Sequence, residues 1–243
     1  MNAPSYPSYP TYETAPRLPV APAPAPALRG GGVPLGKGPF AIVEALLKSP
    51  ASVLEDLRAG RGALFQLSAV VVATMVVTGL VMATFSGGLQ VLWVPLKLSA
   101  GIFFCALICL PSLHIFSCLA GAEQSVKETW GALLMGVALM GILLVGFAPL
   151  TWVFSQATSS AAFMGALHLV VLVISSVFGL GLIGRALAAM NRAPVRGTRL
   201  WNVLFVLVLF QMTTTLRPLV GEAEDHLLGE RLFFLTHWFR SLG

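Results

Sequence analysis

From residue 63 onward the chain runs through five apolar stretches, near 63–86, 92–120, 130–154, 161–187 and 200–217, and none of them holds an Asp or Glu. A hydrocarbon core of about 30 Å is crossed by about 20 helical residues, so each stretch has the length of a span. With no water inside the bilayer, every backbone N–H and C=O must be satisfied internally, which admits only helices or a closed barrel. A barrel shows short segments of alternating polarity. Val70–Val72, Leu143–Val145 and Leu169–Ile174 are apolar on all sides and read as helix. The expected fold is therefore all-α, a polytopic membrane bundle of five transmembrane helices. Composition excludes the alternatives: 56% hydrophobic against 10% charged is not the balance of a soluble domain, and three cysteines make no disulfide framework.

The segments outside the spans differ in kind. Residues 1–38 hold Pro4, Pro7, Pro10, Pro16, Pro19 and Pro22 in steps of three and all three tyrosines, Tyr6, Tyr9 and Tyr12. That spacing predicts an extended polyproline II tail without a fold of its own, joined through Gly30, Gly31 and Gly32. Tyr6, Pro7, Tyr9, Pro10 and Tyr12 form a candidate edge for docking a cytoplasmic protein onto an aromatic groove, the bland alternative being a plain spacer. No signal-peptide core precedes the first span, so insertion is expected to use that span itself. Residues 39–61 set Phe40, Val43, Leu46 and Leu47 at helical spacing, break at Ser49-Pro50, and repeat with Val53, Leu54 and Leu57. They read as a broken amphipathic helix on the inner membrane surface. Residues 62–217 are the membrane domain. In 218–243, Leu228, Leu232, Leu235, Phe239 and Leu242 form a second interfacial stripe.

Orientation follows from the basic residues. Arg17, Arg29, Lys37, Lys48, Arg58 and Arg61 precede the first span, and Arg185, Arg192, Arg196 and Arg199 crowd the fourth connection, while the first and third connections have none. With five spans the positive-inside rule puts the N-terminus and the even connections in the cytoplasm and the C-terminus outside. Trp93, Trp130, Trp152 and Trp201 each fall at a span end, the headgroup level that an indole prefers. Topology thus accounts for the net charge of +5, which points to anionic lipid as partner and not to nucleic acid.

The run Leu47-Lys48-Ser49-Pro50-Ala51-Ser52-Val53-Leu54-Glu55-Asp56-Leu57, leading through a short basic stretch into five hydrophobic spans, resembles the bacterial members of the Yip1 domain family over residues 40–217. The eukaryotic branch of that family is linked with vesicle traffic and Rab GTPases and carries an Asp-Leu-Tyr-Gly-Pro type signature, which this chain lacks. For bacterial look-alikes the resemblance implies a membrane protein of undefined biochemistry, and a role in organising protein partners or lipid in a bacterial cytoplasmic membrane is the expectation set beside it. It brings no catalytic residues and no cofactor.

Three sets of residues inside the spans are candidates for more than packing. Cys105, Cys109, His114 and Cys118 are metal-ligand types on one span. At about 100° per residue, His114 and Cys118 lie about 180° and 220° from Cys105, so a single tetrahedral metal site is not expected. Lys97, His168 and Gln211 fall at similar depth below the outer surface and are expected either to converge on a polar pocket, as in a small transporter or channel, or to be satisfied separately by snorkelling and backbone bonds. Gly79, Ala83 and Gly87 on the first span, and Ser175 and Gly179 on the fourth, form small-xxx-small rows for close helix packing within the bundle or in a homo- or hetero-oligomer. Gly131, Gly136, Gly141 and Gly146 recur in steps of five, which turns each by about 140° and leaves no single stripe. No phosphate loop, His-Glu-x-x-His pair or Gly-x-Ser-x-Gly elbow is present, and a non-enzymatic role is expected.

Overall fold

A computed structural model of the protein describes residue 28 and residues 40–86, 90–121, 123–158, 160–191 and 197–215. The tail tyrosines and prolines, Gly87 and the stripe in 218–243 lie outside the described residues. The described elements are all helices: α1 (Ala41–Lys48), α2 (Pro50–Arg58), α3 (Ala63–Ser86), α4 (Gln90–Leu119), α5 (Val126–Ala157), α6 (Ala161–Asn191) and α7 (Thr198–Thr215). Four of them, α3 to α6, are long and apolar enough to cross a membrane. This is a membrane-embedded helical architecture. At about 1.5 Å per residue, 30 residues of α4 measure about 45 Å and the 18 of α7 about 27 Å, so α7 stands apart as a shorter apolar helix.

Local sequence explains where the helices stop. Pro50 opens α2 at a position where a missing N–H costs nothing, and its ring drives Ser49 out of the helical region to φ −143°, ψ 63°. The break expected at Ser49-Pro50 is therefore a turn between two short helices, closed by Ser52 Oγ donating to the Ser49 carbonyl at 2.7 Å. Gly121 ends α4 with φ +85°, its N–H donating to the Cys118 carbonyl at 2.9 Å, a left-handed stop that a Cβ would strain. α5 starts on a capping box, in which Ser125 N donates to Glu128 Oε2 at 2.8 Å and Glu128 N donates back to Ser125 Oγ at 3.3 Å. Inside α4, Pro95 and Pro111 are both accommodated within one continuous helix.

α5 is the central helix. It packs along α3 and α6, α3 packs along α4, and α4 packs along α7. The step-of-five glycines account for this position. A Cβ on Gly131 would meet Leu57 of α2 at 2.8 Å, one on Gly136 would meet the Gly179 carbonyl of α6 at 2.6 Å and would collide with Ile183, and one on Gly141 would collide with Thr74 of α3. Two successive rotations of about 140° thus present three bare backbone patches to three different neighbours. Gly146 has open space around it.

α1 and α2 pack against α3 and α5 at one end of the bundle, which also carries the α4–α5 and α6–α7 connections and is called the basic end here. α2 buries the expected stripe, and Val43 and Leu57 pack against the core, but the buried face of α1 is turned away from Phe40 and Leu47. Ile42, Ala45 and Leu46 of α1 and Val53 and Leu54 of α2 are in the core, whereas Phe40 and Leu47 are exposed. A helix that covers a bundle end is turned by its protein contacts, and a sequence stripe does not record which contacts those are. Glu44 and Lys48 pair across one turn at 2.8 Å on the outer side, and the ammonium holds the carboxyl below its ordinary range. Leu28 also packs against the core.

One interfacial expectation is corrected. Trp201 is fully buried, stacked at 5.3 Å on Phe205, with its indole N–H donating to the Cys109 carbonyl at 3.2 Å and Ser112 Oγ at 3.1 Å. The first turn of α7 lies against α4 and satisfies the indole inside the protein. Trp93 and Trp152 are exposed.

Candidate functional site

The polar side chains gather at the basic end. Thr129 lies in the first turn of α5 and is fully buried, and its hydroxyl donates to the Ser125 carbonyl at 3.1 Å. The same oxygen accepts from Gln124 Nε2 at 3.1 Å and stands 3.1 Å from His114 Nδ1 of α4. Gln124 Oε1 in turn accepts from Asn191 Nδ2, at the end of α6, at 3.1 Å. Arg58 of α2 completes the ring: its Nη2 donates to the Met190 carbonyl at 3.0 Å and its Nε lies 3.6 Å from Glu128 Oε1. Four helices and one connection are therefore joined through side chains at one level.

A threonine hydroxyl has one hydrogen. When Thr129 gives it to Ser125, its oxygen accepts from both Gln124 and His114, and His114 then carries its proton on Nδ1 and turns the Nε2 lone pair outward. His114 Nε2 lies 3.6 Å from Cys118 Sγ, one turn further along α4. Cys118 is exposed, whereas Cys105 and Cys109 are buried in the core. The four residues read as metal-ligand types thus separate into a buried thiol pair and a surface thiol–imidazole pair.

The polar residues expected at similar depth are distributed over three helices. Lys97 is on α4 and Gln211 on α7, two helices that pack together, while His168 is on α6, whose main partner is α5. His168 Nδ1 is 2.7 Å from the Met164 carbonyl of its own helix, and its Nε2 is buried with no hydrogen-bond partner among the described residues. The small residues face neighbours in the same chain. A Cβ on Gly79 would meet the Pro95 Cα of α4 at 2.5 Å, Gly179 lies against Gly136, and Ala83 and Ser175 are fully buried.

Reasoning from sequence passed over Arg58, Gln124, Glu128, Thr129 and Asn191. The pattern Ser125-x-x-Glu128 before an apolar run was a readable helix start. The bond from Gln124 to Asn191 crosses 67 positions, and no local pattern announces it. No family model matches the chain, and no curated protein or solved structure is significantly similar to it.

Proposed function

We propose that the protein is a non-enzymatic, Yip1-like integral membrane protein that organises protein partners or lipid, with five spans, its basic end and N-terminal tail in the cytoplasm and its C-terminus outside. The observation that carries this reading is the use of the polar side chains at the basic end. Arg58, His114, Gln124, Glu128, Thr129 and Asn191 close on one another and on backbone, fastening α2, α4, α5 and α6 into one platform. Within the membrane helices Thr74, Thr78 and Thr151 donate to carbonyls of their own helices. Groups bonded in this way are not offered to a passing solute. The fifth crossing is supported by the antiparallel run of α7 along α4: Gly197 lies against Phe116 and Trp201 against Cys109, so α7 leads away from the basic end.

The tail is the part of the chain proposed to reach partners. Full-length protein and a Tyr6→Ala, Tyr9→Ala, Tyr12→Ala variant, purified from the native membrane after crosslinking, should differ by at least one cytoplasmic protein. Identical recovered proteins would defeat the docking reading. A second reading, a small transporter using Lys97, His168 and Gln211, is favoured by the unpartnered buried Nε2 of His168. His168→Leu should abolish any flux that such a site supports, and unchanged flux would remove that reading.

A further inference from the structure

The thiol–imidazole pair at the end of α4 has the parts of an acceptor site for an acyl group. Cys118 is exposed in the last turn of the helix, where the chain leaves the apolar stretch at the basic end. His114 Nε2 lies 3.6 Å from its sulfur, and Nδ1 is anchored on Thr129, which Gln124 and Asn191 hold in turn. With the Thr129 hydrogen on the Ser125 carbonyl, the ring presents the Nε2 lone pair to the thiol, the arrangement that a general base needs. The surroundings suit an electrophile that carries a long apolar chain. Cys118 continues a row of exposed apolar residues on α4, Phe104, Ile108, Pro111 and Ile115, spaced three or four apart. Fourteen residues of helix give this strip a length of about 21 Å, running from the basic end into the apolar body, which suits an extended fatty acyl chain.

We infer that Cys118 is an S-acylation site that accepts a long-chain acyl group from an acyl thioester of the coenzyme A type, with His114 as its general base. His114 Nε2 takes the thiol proton, and the Cys118 sulfur attacks the thioester carbonyl. A new carbon–sulfur bond forms to Cys118 as the bond to the carrier sulfur breaks. The carrier thiolate then recovers the proton from the imidazolium, leaving S-acyl Cys118, a free carrier thiol and neutral His114. No oxidant or reductant enters. The acyl chain lies along the Phe104–Ile115 strip, and Thr129 is a positioning residue that keeps the ring aimed at the sulfur. In the cell this requires the basic end to face the cytoplasm, as in the orientation proposed above, but the chemistry itself does not depend on it.

The test uses the full-length protein in detergent micelles, where both ends are accessible and orientation plays no part. Incubation with palmitoyl-coenzyme A should add one acyl mass, removable by neutral hydroxylamine and mapped to Cys118. Cys118→Ser should abolish it although Cys105 and Cys109 remain. His114→Ala should slow it about a hundred-fold, the usual scale of a general base, and free imidazole should restore part of the rate. Thr129→Val should slow it less, and imidazole should not affect that variant, because its ring is still present. Thermal midpoints of each variant in the same micelles separate loss of the base from loss of the fold. Absence of the acyl group from wild-type Cys118 overturns the site, and equal rates for wild type and folded His114→Ala overturn the pair.

Discussion

At the residue scale the bundle depends on positions where a missing Cβ or a single hydroxyl has no substitute. Gly136 and Gly179 bring α5 and α6 so close that a Cβ on either would fall 2.6 Å from the other's carbonyl oxygen. Gly136→Ala should therefore force the helices apart and cost about 1–3 kcal/mol, the range of overpacked cores. Gly146→Ala meets nothing within 4 Å and should be neutral or stabilising by up to about 1 kcal/mol, since alanine is the better helix residue. Chemical denaturation of both variants in one detergent checks the pair, and equal effects would reject the contact. Thr129 is a similar case in polar terms. Thr129→Val keeps the shape but removes the hydroxyl that accepts from Gln124 and bonds His114, and the stranded partners should destabilise the fold by about 1–3 kcal/mol. Less than a few tenths would mean that Gln124 and His114 find other partners.

At the element scale the α1–α2 pair is held in two ways. Its apolar face, from Ile42 to Leu54, is buried in the bundle, and Arg58 at its end reaches across to α5 and α6. The guanidinium is half exposed, so Arg58→Leu should cost less than about 1 kcal/mol of global stability. Its local effect should be larger in kind. Hydrogen exchange should quicken over residues 41–58 while the α5–α6 seam keeps its protection. Unchanged exchange in α1 and α2 would show that apolar burial alone holds them. The hydrophobic spacing at 39–61 indicated two short helices and the break between them, because Pro50 acts locally. It placed the buried face of α2 and part of that of α1, but set Phe40 and Leu47 in place of Ile42 and Ala45, because the rotation of α1 is supplied by α3 and α5 and not by α1.

At the scale of the whole molecule, the proposed five crossings place the two ends of the chain on opposite sides. In a Cys118→Ser background, which removes the exposed native thiol, Ser159→Cys and Gly243→Cys should react with an impermeant maleimide from outside. Ala3→Cys and Gly197→Cys should react only after the inner face is opened. Inner labelling at Gly243 would leave four crossings and turn α7 into a helix that lies along the surface. The internal seating of Gly79, Gly136 and Gly179 also bears on assembly, since those bare patches are already filled by Pro95 and by each other. An oligomer would have to use other faces, such as the exposed row of Val170, Val173, Ile174 and Val177 on α6.

The sequence alone determined the helical class, four of the five stretches it marked as long apolar helices and the break at Ser49-Pro50, because these follow from backbone satisfaction in lipid and from proline acting on its own neighbours. It also showed the small residues without saying what they touch. Tertiary structure decided which neighbour each glycine of α5 admits, why Trp201 is buried and not at the surface, and how His114 comes to face both Thr129 and Cys118. Those outcomes depend on the rotation of one helix against another. Rotation is settled by the sum of many weak contacts from residues far apart in the chain, such as Gln124 with Asn191 and Arg58 with Met190, and a helix that is apolar on every side carries almost no record of which side will be used.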